Sequence, residues 1–299
     1  MNNKSQKLKN YFLGIVGAIT LLGIWSFIEP YTLNTENETA TIPNLPFAWE
    51  GKQIGQLSDF QIGLRGDNRG TVRRSVAKMI EAKPVVALIT GDFIYHPGED
   101  IKPEIETVVE MVSPLVKAGI PTYAVLGNHD YGMSSKGATP KLQEAKYLVT
   151  ALESAGIQVL KNESVKLQLP DSDETLYLVG VGSLWAKRDK VELALRNVPP
   201  GSPRIVMMHN PDTFDKFPEG SAPLAIAGHT HGGQIRIPGF PQWSWLNFVQ
   251  KDGVYADGWA KGFGEGGNKL YVNPGIGMSI APIRLFCPPE LTFFTLARN

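Results

Sequence analysis

Five short apolar runs in this chain each stop at residues able to hold a metal ion. Gln53–Leu57 leads to Ser58-Asp59-Phe60-Gln61, and Val85–Ile89 leads to Thr90-Gly91-Asp92. Thr122–Leu126 leads to Gly127-Asn128-His129-Asp130, Ile205–Met208 to His209, and Leu224–Ala227 to Gly228-His229-Thr230-His231. Continuous apolar runs of this length read as strands buried on both faces. Between the first three lie stretches with helical spacing. Val72, Val76, Met79 and Ile80 mark 71–82, and Ile105, Val108, Val109, Val112 and Val116 mark 103–118. Strand–helix–strand order implies crossover connections and a parallel sheet. In such sheets ligands gather at the carboxyl ends of the strands, where these residues fall.

The remaining pattern exceeds one sheet. A polar loop over 131–139 precedes a helix ending near Ala155, and short strands are predicted at 158–160, 165–169 and 176–179. A helix near 190–196 is followed by strands at 205–208, 224–227, 234–237, 269–272 and 291–296. Two facing sheets with helices outside both accommodate this count. With 31 Gly and 22 Pro the chain has many sharp loops, but no internal repeat and no domain break within 51–299.

The N-terminus is of a different kind. Lys4, Lys7 and Lys9 form a basic tail over residues 1–10, and 11–28 carries no charge. Eighteen apolar or small residues at about 1.5 Å each span most of a ~30 Å hydrocarbon core. Trp25 suits the interface, and the lysines keep the N-terminus cytoplasmic, placing the bulk of the chain outside the cytoplasm. A cleaved signal peptide looks similar. The length of the stretch, and the lack of a small-x-small site after Ile28, favour an uncleaved single-pass anchor. Residues 29–50 are polar and broken by Pro30, Pro43 and Pro46, and read as a tether.

The 29 basic and 29 acidic residues balance, but without the three N-terminal lysines the remainder is net negative by three. That argues against nucleic acid, which needs a basic stripe. Cys287 is the single cysteine, so no disulfide or thiolate cluster forms within the chain, and its Pro-flanked apolar setting reads as a packed thiol.

Four of the five histidines lie in the strand-end set, together with Asp59, Asp92 and Asn128. Imidazole and carboxylate ligands suit Mn, Fe, Zn and similar ions. Two such ions about 3.5–4 Å apart, bridged by a carboxylate, share a hydroxide and hold two phosphoryl oxygens. No G-x-S-x-G elbow or other nucleophilic Ser or Cys stands among the motifs, so no covalent intermediate is implied.

In order and content these motifs resemble the calcineurin-like metallophosphoesterase superfamily, whose pattern runs D-x-H, G-D, G-N-H-D/E, a lone H, and G-H-x-H. The resemblance covers 51–299. Gly232-Gly233-Gln234 and the ending from Asn273-Pro274-Gly275 to Cys287-Pro288-Pro289-Glu290 are similar to its bacterial membrane-associated branch, which includes enzymes of UDP-2,3-diacylglucosamine hydrolysis in lipid A synthesis. The implied fold is α/β, a four-layer αββα sandwich of two mixed sheets behind the N-terminal transmembrane helix. The implied sites follow motif by motif. Asp59, Gln61, Asp92 and His231 would hold one metal, and Asp92, Asn128, His209 and His229 the second. His129 would face the substrate, with Asp130 holding its imidazole in register.

The resemblance implies hydrolysis of a phosphoester or pyrophosphate by a hydroxide bridging two divalent ions, Mn foremost, with Fe, Zn or Mg as alternatives. One departure stands out: the first motif ends in Gln61 where the family has His. Either the amide oxygen or a water serves as ligand, shifting that site toward harder ions, or the chain is a weakened membrane-tethered binding protein. The expected partners are the bilayer and a phosphorylated small-molecule or lipid substrate, foremost a UDP-diacylglucosamine-like glycolipid precursor. A general phosphomonoesterase or phosphodiesterase is the alternative, and a monomer is expected. A lipid A precursor is handled on the cytoplasmic side, which conflicts with the lysine-based topology.

Other features carry less. Phe240, Trp243, Trp245, Phe248, Trp259 and Phe263 either receive a lipid at the interface or cover a sheet edge. Arg65, Arg69, Arg73 and Arg74 are placed to meet phosphates, although the last two also read as an exposed helix face. His96 reads as a loop residue with no metal role.

Overall fold

A computed structural model of the protein describes residues 2–95, 100–238, 240–246, 255–260 and 266–299. A long helix α1 (Asn2–Ile28) comes first, then strands β1 (Asn34–Ile42) and β2 (Gln53–Leu57), helix α2 (Arg69–Ala82), β3 (Val86–Ile89), α3 (Lys102–Lys117), β4 (Thr122–Ala124), α4 (Leu142–Ser154) and β5 (Gln158–Val159). A hairpin, β6 (Glu163–Leu169) and β7 (Ser172–Gly180), leads to α5 (Val191–Leu195), β8 (Arg204–Met207) and β9 (Ala225–Ala227). The small pair β10 (Arg236–Ile237) and β11 (Phe240–Ser244) precedes β12 (Gly258–Trp259), β13 (Leu270–Val272) and β14 (Glu290–Arg298).

Two six-stranded sheets result, ordered β1-β14-β2-β3-β4-β5 and β12-β13-β9-β8-β7-β6. Strands β2 to β5 are parallel, while β14 runs antiparallel to β2 and parallel to β1. The period of two explains the layering. In β3, Val86 and Leu88 enter an apolar layer with Ile205, Met207 and Ile226 of the other sheet. Ala87 and Ile89 face Met79, Val108 and Val112 of α2 and α3. In β8, Val206 joins Phe214 and Ala194 on the far side. Both sheets are therefore buried on both faces, with helices outside, as expected for a four-layer sandwich.

The reading of 29–50 as a tether is corrected. Its middle forms β1, a nine-residue edge strand in register with β14 from Asn34↔Glu290 to Ile42↔Arg298. The run is polar because an edge strand keeps much of its length in water. What anchors it lies at its end: Ala40, Ile42, Leu45 and Trp49 are buried, and the Trp49 indole donates to the Glu174 carbonyl at 3.1 Å.

Helix α1 also differs, extending through the basic tail rather than starting at Tyr11. It is the one helix among the described residues long and apolar enough to cross a membrane. Its end has no slack. The Glu29 carboxylate accepts the Trp25 indole N–H at 2.6 Å, the Phe286 N–H at 2.9 Å and the Cys287 N–H. The Arg284 N–H donates to the Ser26 carbonyl at 2.9 Å.

Where β14 begins, Glu290 is buried and accepts from the Tyr271 hydroxyl at 2.8 Å and the Thr292 hydroxyl at 2.7 Å. Burial, reinforced by the Asp257 charge, raises its pKa to about 7. A raised folded-state pKa contributes stability that is complete below the ordinary value and is lost as pH rises through about 7. Glu290→Gln is expected to flatten the fall in Tm between about pH 5 and pH 8, worth at most ~3 kcal/mol, in thermal unfolding of the two proteins side by side.

Candidate metal centre

The site residues leave their strands in a backbone conformation that L-residues avoid. Asp59, Gln61, Asp92, His229 and His231 have φ of 53°, 52°, 55°, 76° and 49°. Left-handed backbone at a non-glycine residue costs about 1–3 kcal/mol and persists only when its surroundings impose it. Here the loops are laced together. Asp59 N–H bonds the Gly91 carbonyl at 2.9 Å, Gln61 N–H the Asp92 carbonyl at 3.0 Å, and Ile62 N–H the Phe93 carbonyl at 3.0 Å. The effect is to swing successive side chains off the sheet toward one point.

That point collects all seven expected ligand residues. The Gln61 amide Nε2 lies 2.9 Å from Asp92 Oδ2 and 3.3 Å from His231 Nε2, which is 3.5 Å from Asp59 Oδ1. On the other side His209 Nε2 lies 3.2 Å from each of Asp92 Oδ2, Asn128 Oδ1 and His229 Nδ1. Two metal-competent clusters result, Asp59-Asp92-His231 and Asp92-His209-His229, and both contain Asp92. The donor set suits divalent cations: carboxylates, imidazoles and amide oxygens, with no thiolate. Gln61 Oε1 and His231 Nδ1 are buried with no hydrogen-bond partner among the described residues. A flip of the Gln61 amide, which exchanges N and O in place, turns its oxygen toward the cluster.

The charges are arranged around one proton. Burial pushes Asp92 up, but the His209 and His129 charges and the hydrogen bond to His209 outweigh it, so its carboxyl lies well below the usual range. Burial opposes a charge on His209 too, yet Asp92 raises it to about 9. Burial and the His209 charge lower His229 to about 3, and burial with the Arg284 charge puts His231 well below its ordinary value. Asp59 is raised to about 6 by burial against the pull of His209. The His209 imidazolium is thus the main offset to Asp92 within the cluster, and the His229 and His231 rings are neutral with lone pairs to give. His209 Nδ1 meets the Thr90 carbonyl at 2.8 Å, which keeps the proton on Nδ1 and would leave Nε2 to a cation that displaces the second proton.

Asp130 needs correction. Its carboxylate does not serve as the orienting group behind the His129 imidazole. It accepts four backbone N–H groups: Asp92 at 2.9 Å, Gly127 at 2.8 Å, Phe93 at 2.8 Å and Ile94 at 3.2 Å. The side chain staples the Asp92 loop to the Asn128 loop. The His129 ring instead stacks on Tyr95, with centroids 5.0 Å apart and planes 18° apart, and its Nδ1 meets the Tyr95 carbonyl. Its backbone N–H donates to Asp92 Oδ1 at 2.8 Å. The two glycines beside the ligands matter for space: a Cβ at Gly127 would strike the Asp92 carboxylate, and one at Gly228 would strike Ser58 and Asp59.

The cluster opens into a cleft of about 530 Å³ whose walls include His129, Trp185, Trp245 and Ile280. Sequence reasoning missed Arg284. It is fully buried, and its guanidinium donates to the carbonyls of Pro274, Gly275, Gly277 and Cys287. No periodicity marks it, although the tail that holds it carried the family resemblance. Cys287 is buried, as expected, with its thiol 3.3 Å from the His231 carbonyl. The other arginines are engaged elsewhere: Arg69 with Asp67, Arg73 with Glu110, and Arg74 with the Tyr31 carbonyl. Arg65 is exposed. His96, Phe248 and Phe263 lie outside the described residues, as does the side chain of Phe240.

Metal-competent side chains at strand ends of two facing sheets, with one carboxylate common to both clusters, are the arrangement expected of a metallophosphoesterase. The chain belongs to the calcineurin-like phosphoesterase family, whose model matches residues 52–233, and is a hydrolase of phosphoester bonds. It is 34% identical to phosphodiesterase YaeI of Escherichia coli, over 74% of this chain and 74% of that protein. It is 28% identical to the metallophosphoesterase YkuE of Bacillus subtilis over 98% and 97% of the two chains. It is also 26% identical to the UDP-2,3-diacylglucosamine pyrophosphatase LpxG of Chlamydia muridarum over 93% of each.

Asp130→Asn would turn an amide N–H toward backbone donors. We expect a loss of about 1–3 kcal/mol in stability together with weaker Mn binding, read by thermal unfolding and Mn titration. An unchanged Tm with only a slower rate would return Asp130 to the role of imidazole partner.

Proposed function

We propose that the chain hydrolyses a lipid-linked phosphodiester or pyrophosphate, with Asp59, Gln61, Asp92 and His231 holding one divalent ion and Asp92, Asn128, His209 and His229 a second. The observation that carries this reading is the Asp92 carboxylate common to both ligand clusters. Bound there, two ions supply a nucleophile at neutral pH and hold phosphoryl oxygens. The protein's own groups do the rest. Asp92 and Asp59 offset the cation charge, and Asp130 holds the loops that set the spacing. His129, with Nδ1 on the Tyr95 carbonyl, would use Nε2 to orient a phosphate oxygen and to protonate the leaving alkoxide. Mn is the favoured ion, because Gln61 replaces an imidazole with a harder oxygen donor.

A lipid substrate is supported by the apolar helix α1 tied to the domain, by the tryptophans at the cleft, and by the name of the chlamydial relative. The lysines of the basic tail favour an extracytoplasmic catalytic domain. A C-terminal alkaline phosphatase fusion is expected to be active and a green fluorescent protein fusion dark. The opposite pattern would place the site beside cytoplasmic lipid precursors.

Elemental analysis of metal-depleted full-length protein after titration with Mn should give two ions per chain, and fewer than two would overturn the reading. Asp92→Asn should lose ion binding and at least 1,000-fold in rate. His129→Ala should keep both ions and lose about 100-fold or more. Gln61→His should tighten Zn binding at the first site. A lipid pyrophosphate should be cleaved with a higher kcat/KM than bis-p-nitrophenyl phosphate, and equal values would favour the general phosphodiesterase.

A further inference from the structure

We propose that the rim running from the mouth of the metal cleft to the end of α1 is a bilayer-inserting surface, built from Ile235, Trp245 and Ile280 at the cleft, Trp243 on β11, and Ile237 and Phe286 beside the end of α1. Beyond the N-terminal helix and Tyr31, the other exposed large apolar side chains among the described residues are Phe47, Leu142, Tyr147 and Leu193, scattered through the chain. The rim is instead one connected structure. Trp245 N–H bonds the Ile235 carbonyl at 2.8 Å, Arg236 N–H bonds the Leu285 carbonyl at 2.9 Å, and Leu285 N–H bonds the Gln234 carbonyl at 2.8 Å. The next residue, Phe286, gives its N–H to Glu29 at the end of α1. A short, fully bonded path therefore runs from the membrane helix to Ile280 and Trp245 on the cleft wall.

Backbone strain supports the same assignment. Ile280 is 85% exposed and has φ of 61°, an outlier for a β-branched residue. Phe286 has φ of 57°. The Ile280 loop is held from below by the Gln234 side chain, whose amide donates to the carbonyls of Ala281 and Ile283 and accepts the Ser279 N–H. Neither strain nor exposure of an isoleucine favours this conformation in water. An acyl-chain boundary would take the isoleucine side chain out of water, and tryptophans prefer the headgroup level. The occupant is a lipid surface rather than a second copy, because the rim continues into a helix that is itself apolar enough to enter the bilayer. The inference rests on α1 being inserted and is independent of which phosphoester is cleaved.

The test uses the full chain in vesicles of phosphatidylethanolamine and phosphatidylglycerol. Nitroxide labels at Ile280→Cys and Trp245→Cys are compared with Leu21→Cys in α1 and with Leu193→Cys. Oxygen and a water-soluble nickel chelate serve as relaxants, and wild type treated with the same nitroxide reagent checks that buried Cys287 does not react. The rim labels should be oxygen-accessible and chelate-protected, about 5–10 Å below the headgroups, with Leu193 in water. Rim labels as chelate-accessible as Leu193, with Leu21 buried, would overturn the proposal. So would protection from both relaxants, which signals a covering protein, or a Leu21 label in water, which removes the anchor. Independently, brominated lipids should quench wild-type fluorescence more than that of the Trp243→Phe, Trp245→Phe double variant, and equal quenching would count against insertion.

Discussion

Asp92 is nearly fully buried, with one carboxylate oxygen on the His129 N–H and the other shared between Gln61 Nε2 and His209 Nε2. Much of the rest of the site can be understood as the means of keeping that charge there. A buried carboxylate without compensation costs several kcal/mol, and its acidic neighbours Asp59 and Asp130 add repulsion. The compensation is partly a proton on His209 and partly the His129 backbone N–H and the Gln61 amide. A divalent ion is the natural replacement for that proton, since it meets the same lone pairs and brings more charge. The left-handed φ at Asp92, the absence of a side chain at Gly127 and the staple through Asp130 all serve the same end. The first two cost stability or freedom that an ordinary strand-to-loop turn would not require, and the staple offsets part of that cost.

Much of this was legible in the sequence, and the misreadings have definite causes. Core strands such as β3 and β8 announce themselves because burial on both faces demands an unbroken apolar run. β1 does not: Asn34-Thr35-Glu36-Asn37-Glu38 satisfies its partner β14 through backbone bonds, which composition does not encode. The clustering of the candidate ligands was legible because each follows an apolar run. Asp130 was misread for the opposite reason. Adjacency to His129 suggested a pair, but in the tight turn over His129–Tyr131 consecutive side chains diverge, and the carboxylate finds the amides of a neighbouring loop. Partners supplied by backbone from distant loops leave no trace in residue type.

Arg284 shows how the tail bears on the metal site without touching it. A fully buried guanidinium would ordinarily be matched by a carboxylate. Here its donors are spent on the carbonyls of the loop that packs on Asp59, where Gly277 N–H meets the Asp59 carbonyl at 2.6 Å. Carbonyls satisfy the hydrogen bonds but do not cancel the charge. The field therefore reaches His231 and favours its neutral form, the one able to bind a cation. The same residue donates its backbone N–H to Ser26 of α1. One segment thus fixes the end of the apolar helix α1 and sets the charge state of His231 in the candidate metal centre.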